Sequence, residues 1–209
     1  MHFCRRAEML FPDMKRFFDI VASGCGLLVL SPVFLVVAIW IKLDSRGPVF
    51  YRQVRVGFKN RDFKIFKFRS MRIGADKGSL VTIGGRDPRI TRSGYFIRKY
   101  KLDELPQLIN VFVGDMSLVG PRPEVRHYVG YWTPEQMRVL DVRPGITDPA
   151  SIKFRNENEL MGRAENPEEY YIHVIMQEKI KLYLEYVENA SFLYDLKLIF
   201  KTFKVIISE

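Results

Sequence analysis

Residues 20–41 read IVASGCGLLVLSPVFLVVAIWI, 22 residues without a charge, and Lys42 follows at once. About 20 apolar residues suffice to cross a bilayer as a helix, so a membrane segment is the first expectation. A cleaved signal peptide fits less well, because the run is long and no small-residue cleavage pattern follows Trp40. Pro32 stands near the middle. It has no N–H to give, and its ring crowds the carbonyl of Leu28, so the helix is expected to kink there. The Ser31 hydroxyl can donate to a freed carbonyl one turn back, which lipid cannot do.

The flanks add a second constraint. Arg5, Arg6, Lys15 and Arg16 precede the run; Lys42, Arg46, Arg52 and Arg55 follow it. A spanning helix carries its Lys/Arg excess on the cytoplasmic side only. Basic charge at both ends is what a helix–break–helix hairpin shows when it enters and leaves by one face. The re-entrant form therefore stands ahead of a kinked span, and a buried core helix of a soluble protein is a third reading.

Outward from this run, 209 residues hold one ordinary domain with a real core. Lys and Arg number 33 against 24 Asp and Glu, a formal charge of +9, which implies a polyanionic partner: nucleic acid, anionic lipid or phosphate esters. Cys4 and Cys25 make no disulfide framework, which favours a reducing compartment. His2, His127 and His173 lack any zinc-ligand spacing.

After Gly47-Pro48, Val49-Phe50-Tyr51 and Phe63–Phe68 predict a small β-hairpin turning at Gly57 and Asn60. Its basic residues, among them Lys67 and Arg69, either lie solvated on anionic headgroups or face a phosphate site. The glycine-rich stretch 74–88 predicts a lid-like loop. Thr133-Pro134-Glu135-Gln136 and Asn166-Pro167-Glu168-Glu169 have the form of capped helix starts. Ile172, Met176, Ile180, Tyr183 and Val187 then share one helical stripe. In the last segment Leu193, Leu196, Phe200, Phe203 and Ile207 oppose Lys197, Lys201 and Lys204, either in the membrane interface or against the core. The expected fold is α+β and mostly helical: a basic flank and re-entrant helix pair over 1–46, then a compact cytoplasmic domain over 47–209 with the hairpin and amphipathic interfacial helices.

Chemistry concentrates in Lys101-Leu102-Asp103-Glu104-Leu105-Pro106-Gln107. Pro106 is tolerable only in a first helical turn, which sets Asp103 at or next to an N-cap. Asp103 then either caps the helix while Glu104 complements its dipole, or serves as a nucleophile. An ionised Asp beside a bound phosphoanhydride can attack phosphorus and form an acyl phosphate. Mg²⁺ or the neighbouring Arg98, Lys99 and Lys101 would have to neutralise the two anions.

The wider string is more specific. Asp87-Pro88-Arg89-Ile90-Thr91-Arg92, Leu102–Leu108, Asn110-Val111, Gly114–Pro123 and Val142–Thr147 together resemble the bacterial sugar transferases, the monotopic polyprenyl-phosphate phosphoglycosyl transferases in their small form. The resemblance runs from Lys15-Arg16-Phe17-Phe18-Asp19 to Asp195-Leu196-Lys197. It implies transfer of a sugar 1-phosphate from a UDP-sugar to undecaprenyl phosphate, through an aspartyl-phosphosugar intermediate, with release of UMP. By matching position it implies Asp103 as nucleophile and Glu104 as its partner, both at a Mg²⁺. Lys67, Arg69, Arg98 and Arg122 fall on positions for the phosphates or nucleotide, and Arg143 on one that binds substrate or orders a turn. Ser31-Pro32 matches the helix-breaking pair of a re-entrant membrane helix, and Lys15-Arg16 a basic pair at the headgroups. The implied location is the cytoplasmic face of a bacterial inner membrane, with membrane lipid as a partner, no nucleic acid, and a homodimer left open. One stretch departs from many relatives: Asp148-Pro149-Ala150-Ser151 and Phe154–Glu157 replace a Gly-Trp-Ala and Asn-Gly-Arg pattern, leaving Arg155 and Glu157 as candidates for substrate binding.

Overall fold

The structure, a computed structural model, describes residues 2–75 and 87–207. Most of the loop expected over 74–88 lies outside the described residues.

The apolar run forms two helices, α1 (His2–Val29) and α2 (Ser31–Asp44), and the stretches Asp13–Val29 and Ser31–Asp44 meet at a bend of 59°. The physical cause is local. Pro32 sits in the first turn of α2, and the Ser31 hydroxyl donates to the Leu28 carbonyl at 2.8 Å, the group that the proline leaves without a backbone donor. Among the described residues no single helix is long and apolar enough to cross a membrane; the bent pair meets that test together. The run is not the core of the domain. Leu28, Val29, Leu35 and Val36 are exposed and Leu43 is 82% exposed, while only Val37 and Ile41 of α2 are buried.

Strands β1 (Phe50–Val56) and β2 (Asp62–Phe68) pair antiparallel, from Phe50 opposite Phe68 to Val56 opposite Asp62. The turn holds Lys59 and Asn60 at φ of 53° and 60°, left-handed geometry that Asn tolerates better than most residues. Helix α3 (Arg92–Lys99) starts on two caps: Thr91 accepts from the Gly94 N–H at 3.0 Å, and Asp44 at the end of α2 accepts from the Ser93 N–H at 2.9 Å. Helix α4 (Gln107–Val113) lies along α1, with Phe112 against Gly24 and Leu108 against Gly26, where any side chain would meet them.

Strands β3 (Ser117–Val119) and β4 (Gly145–Thr147) form a parallel pair that the sequence reading did not anticipate, with α5 (Arg126–Val129) in the crossover. Three-residue strands carry too little alternation to be visible as a period. Helices α6 (Pro149–Lys153), α7 (Glu157–Gly162) and α8 (Pro167–Tyr170) follow; a π-turn at Tyr171–Ile175 joins α8 to α9 (Met176–Asn189), and α10 (Phe192–Ile207) closes the chain. The Thr133 capping box has its reciprocal bonds, Thr133 N–H to Gln136 at 2.9 Å and Gln136 N–H to Thr133 at 3.3 Å. It opens only a 3₁₀ stretch, Gln136–Asp141. The stripe from the π-turn into α9 is the centre of the main core: Ile172, Met176, Ile180 and Tyr183 pack with Tyr128, Val139, Ala150 and Met161. On α10 the core face is Leu198 against Val119 and Tyr186, so Leu193, Phe200 and Phe203 point outward.

Polar ties fasten the bent pair to the domain. Asp19 accepts from the Leu118 N–H at 3.0 Å; Lys15 pairs with Asp195 of α10 and donates to the Val119 carbonyl at 2.9 Å. Arg16 donates to the last carbonyls of α4, Val111 at 2.6 Å and Phe112 at 2.8 Å. Both members of the basic pair expected at the headgroups thus hold protein groups instead of standing free.

Candidate active site

The site is assembled by α4 against the edge of β2. Asn110 is fully buried on α4; its side chain accepts from the Phe66 N–H at 2.8 Å and donates to the Lys64 carbonyl at 2.9 Å. One side-chain amide thereby replaces a neighbouring strand and sets the register of α4 on β2. Lys67, next along β2, and the turn leading into α4 are brought face to face.

That turn is tight. Lys101 is left-handed (φ 55°, ψ 20°), and a single 3₁₀ turn, Leu102–Glu104, runs into Pro106. Asp103 does not cap a helix: the position before α4 is Pro106, and no side chain bonds there. Glu104 instead accepts from Lys67 Nζ at 2.9 Å and from Arg122 Nη1 at 3.2 Å, with Arg122 Nη2 closing a second bond. Arg122 comes from the loop after β3. The backbone bends there at Gly120, where a Cβ would lie 2.3 Å from the Arg143 carbonyl oxygen, so only glycine fits.

The electrostatics separate the two acids. Burial works to raise the Glu104 carboxyl, but Arg122 and Lys67 outweigh it and hold it well below the usual carboxylate range. Burial lowers Lys67, partly offset by Glu104, and Glu104 raises Arg122. Asp103 goes the other way. It is 8% exposed and has no hydrogen-bond donor among the described residues; burial and the Glu104 charge raise its carboxyl, against the pull of Lys67, Arg98 and Lys101. Two adjacent acids therefore have unlike roles. One is fixed as the anion of a two-cation clamp, and the other is a carboxylate that no side chain among the described residues hydrogen-bonds.

The profile of the bacterial sugar transferases matches residues 11–209. The chain belongs to that family. A UDP-N-acetylgalactosamine-undecaprenyl-phosphate N-acetylgalactosaminephosphotransferase of Aeromonas hydrophila is 39% identical over 95% of this chain and 45% of its own length. A UDP-glucose:undecaprenyl-phosphate glucose-1-phosphate transferase of Escherichia coli (strain K12) is 38% identical over 90% of this chain and 39% of its own length. The chain thus spans less than half of either relative. Against the uncharacterized sugar transferase EpsL of Bacillus subtilis (strain 168), 38% identical, it covers 94% of itself and 89% of EpsL.

Of the basic residues that the family resemblance singled out, the fold brings Lys67 and Arg122 onto Glu104, and places Arg98, at the end of α3, where its charge acts on Asp103. It sends others elsewhere. Arg69 is buried and donates to the carbonyls of Ser45 at 2.7 Å and Arg46 at 3.0 Å, capping α2. Arg143 donates to the Gly114 carbonyl at 3.0 Å and stacks 5.3 Å over Phe58. Arg155 is exposed between α6 and α7, and Glu157 pairs with Lys179 at 2.5 Å.

Three residues near the site were quoted in the sequence only within longer stretches, with no role of their own. Asn110 carries a signal in retrospect: with Gln107 it is one of two polar side chains on α4, whose other residues are apolar. Gln107 is fully buried one turn after Asp103, and among the described residues neither atom of its amide has a partner. Asp148 follows β4 directly, as Arg122 follows β3, so the parallel pair sets them at the same strand ends; it caps α6 by accepting from Ser151 N–H at 2.8 Å.

Among the described residues no group of three metal-type side chains gathers to make a cage for a cation. Magnesium does not require one: it is commonly held by one or two carboxylates and substrate phosphates. The uncommitted Asp103 carboxylate beside Glu104 fits that donor set.

Proposed function

We propose that this transferase moves a sugar 1-phosphate from a UDP-sugar to undecaprenyl phosphate through a covalent intermediate on Asp103, so starting the assembly of a lipid-linked glycan. The observation that carries the reading is the unlike pair: a buried Asp103 carboxylate with no hydrogen-bond donor among the described residues, next to a Glu104 held by Lys67 and Arg122. A carboxyl raised by its surroundings is, once ionised, a stronger nucleophile than a solvated one.

In the first step an Asp103 oxygen attacks the β-phosphorus of the UDP-sugar. The bond from that phosphorus to the bridging oxygen breaks, and UMP leaves with the oxygen. Arg122 and Arg98 supply the positive charge that holds the diphosphate and stabilises the charge developing on UMP. Glu104 keeps the Lys67 and Arg122 head groups in one place, so their positions do not have to be organised during the reaction. In the second step a phosphate oxygen of undecaprenyl phosphate attacks the same phosphorus, and the Asp103 carboxylate departs unchanged. The bond between the sugar and its phosphate is never broken. Mg²⁺, held by Asp103, Glu104 and the diphosphate, would neutralise the anionic charge of donor and dyad.

The bent helix pair supplies the membrane. Its exposed apolar residues demand an apolar environment, and α10 turns Leu193, Phe200 and Phe203 outward in the same way. With basic flanks on both sides, the pair is re-entrant, and the chain is monotopic at the cytoplasmic face of the bacterial inner membrane. Purified protein with Mg²⁺, undecaprenyl phosphate and a panel of UDP-sugars is expected to release UMP with at least one sugar. No UMP with any donor, or full activity in Asp103→Asn, contradicts the proposal.

A further inference from the structure

We infer that the exposed aromatic stack Trp40–Phe96–Tyr100 is a binding track for the isoprenoid chain of the acceptor, leading from the membrane helix to Asp103; this rests on the transferase reading above. Trp40 is on α2, Phe96 and Tyr100 one turn apart on α3 and its cap. Their rings run in series: Trp40 and Phe96 have centroids 5.2 Å apart, and Phe96 and Tyr100 4.5 Å. They are nonetheless 39%, 44% and 53% exposed, so the stack presents surface outward instead of filling a core. Three large rings in contact with one another and open on one side form a continuous apolar strip.

Its two ends differ in chemistry. One end starts in the apolar helix that lies in the membrane. The other ends at Tyr100, directly before the left-handed Lys101 that opens the Asp103–Glu104 turn. There the cations gather: Lys99 Nζ is 5.5 Å from the Tyr100 ring centroid, and the charges of Arg98 and Lys101 reach Asp103. An apolar strip that begins in lipid and ends in a cationic cluster at the nucleophile matches a prenyl phosphate, with hydrocarbon along the rings and phosphate at the cations. A bulk phospholipid matches the strip but has no reason to be led to Asp103. The fixed placement of α3 also follows: its start is tied to Asp44 at the end of α2, so strip and nucleophile move with the membrane helix.

The test uses the full chain in lipid vesicles, with Trp40→Ala and Phe96→Ala and the milder Phe96→Tyr. Exchange of labelled UMP into UDP-sugar, run without acceptor, reads the first step alone. Acceptor KM is measured as the surface fraction of undecaprenyl phosphate, corrected for the amount of bound enzyme. Each alanine variant is expected to keep its exchange rate within about twofold and to raise acceptor KM about tenfold, with Phe96→Tyr near the unaltered protein. An unchanged acceptor KM overturns the track, including the case in which only vesicle binding drops, since the rings then serve as an interfacial belt. Absence of exchange in the unaltered chain brings down the transferase reading itself, and the track with it.

Discussion

Removing the charge of Glu104 tests the clamp. Lys67 Nζ lies 2.9 Å from Glu104, with side chains 18% and 21% exposed. At that distance and an effective dielectric near 20, the attraction is about 6 kcal/mol. Desolvation of both ions takes back most of it, leaving roughly 2 kcal/mol of net coupling. Glu104→Gln also leaves Lys67 and Arg122 facing each other with no anion between them, so its loss should be the larger of the single changes. For a chain of this size a loss of ~2 kcal/mol lowers Tm by roughly 4–8 °C. The assay is thermal unfolding in detergent, followed by intrinsic fluorescence, for the parent, Lys67→Met, Glu104→Gln and the double variant. The double variant should be closer to Lys67→Met than additivity allows. A coupling below about 0.5 kcal/mol would refute the claim that the two groups form one unit.

Asp103→Asn should abolish transfer while raising Tm by about 2–4 °C, a gain of ~1 kcal/mol. The sign follows from linkage: a carboxyl raised in the folded chain destabilises it at neutral pH, and that penalty fades as pH falls through the folded value toward the unfolded one. The parent's activity should accordingly decline on the acid side at a higher pH than an ordinary aspartate sets. Asn110→Leu strands the Phe66 N–H and Lys64 carbonyl, so a loss of about 2–3 kcal/mol by thermal unfolding is expected, with reduced turnover because Lys67 shifts. Replacing Ser31 and Pro32 together by Ala and Leu should straighten the helix pair, read as a longer spin-label distance between sites flanking residues 20 and 41; an unchanged distance would show that packing on α4, not the break, sets the bend.

The bend was legible in the sequence because proline's effect is local and chemical, and the carbonyl that Ser31 takes is the one that Pro32 displaces. The long stripe from Ile172 along α9 was legible for a similar reason, since one helix period repeats often enough to be counted. Short strands escaped: β3 and β4 exist through pairing across a crossover, and nothing within three residues announces that. For the Asp103–Glu104 pair the family resemblance implies a nucleophile and a partner, but the clamp of Lys67 and Arg122 on Glu104 was not legible. Which acid meets Lys67 and Arg122 depends on how Asn110 registers α4 on β2, a contact between segments more than 40 residues apart. Arg69 shows the same limit from the other side. A basic residue two positions after Lys67 in a basic hairpin reads as facing a phosphate or the headgroups, yet Arg69 donates to the carbonyls of Ser45 and Arg46, where the chain leaves α2.

The covalent intermediate is the centre of the account, and it can be weighed. Purified protein incubated with Mg²⁺ and a competent UDP-sugar, without undecaprenyl phosphate, is digested and its peptides measured by mass spectrometry. The peptide containing Asp103 should carry one sugar phosphate, lost on adding undecaprenyl phosphate and absent in Asp103→Asn. UMP release with every Asp103 peptide unmodified, under quenching that preserves acyl phosphates, would contradict it.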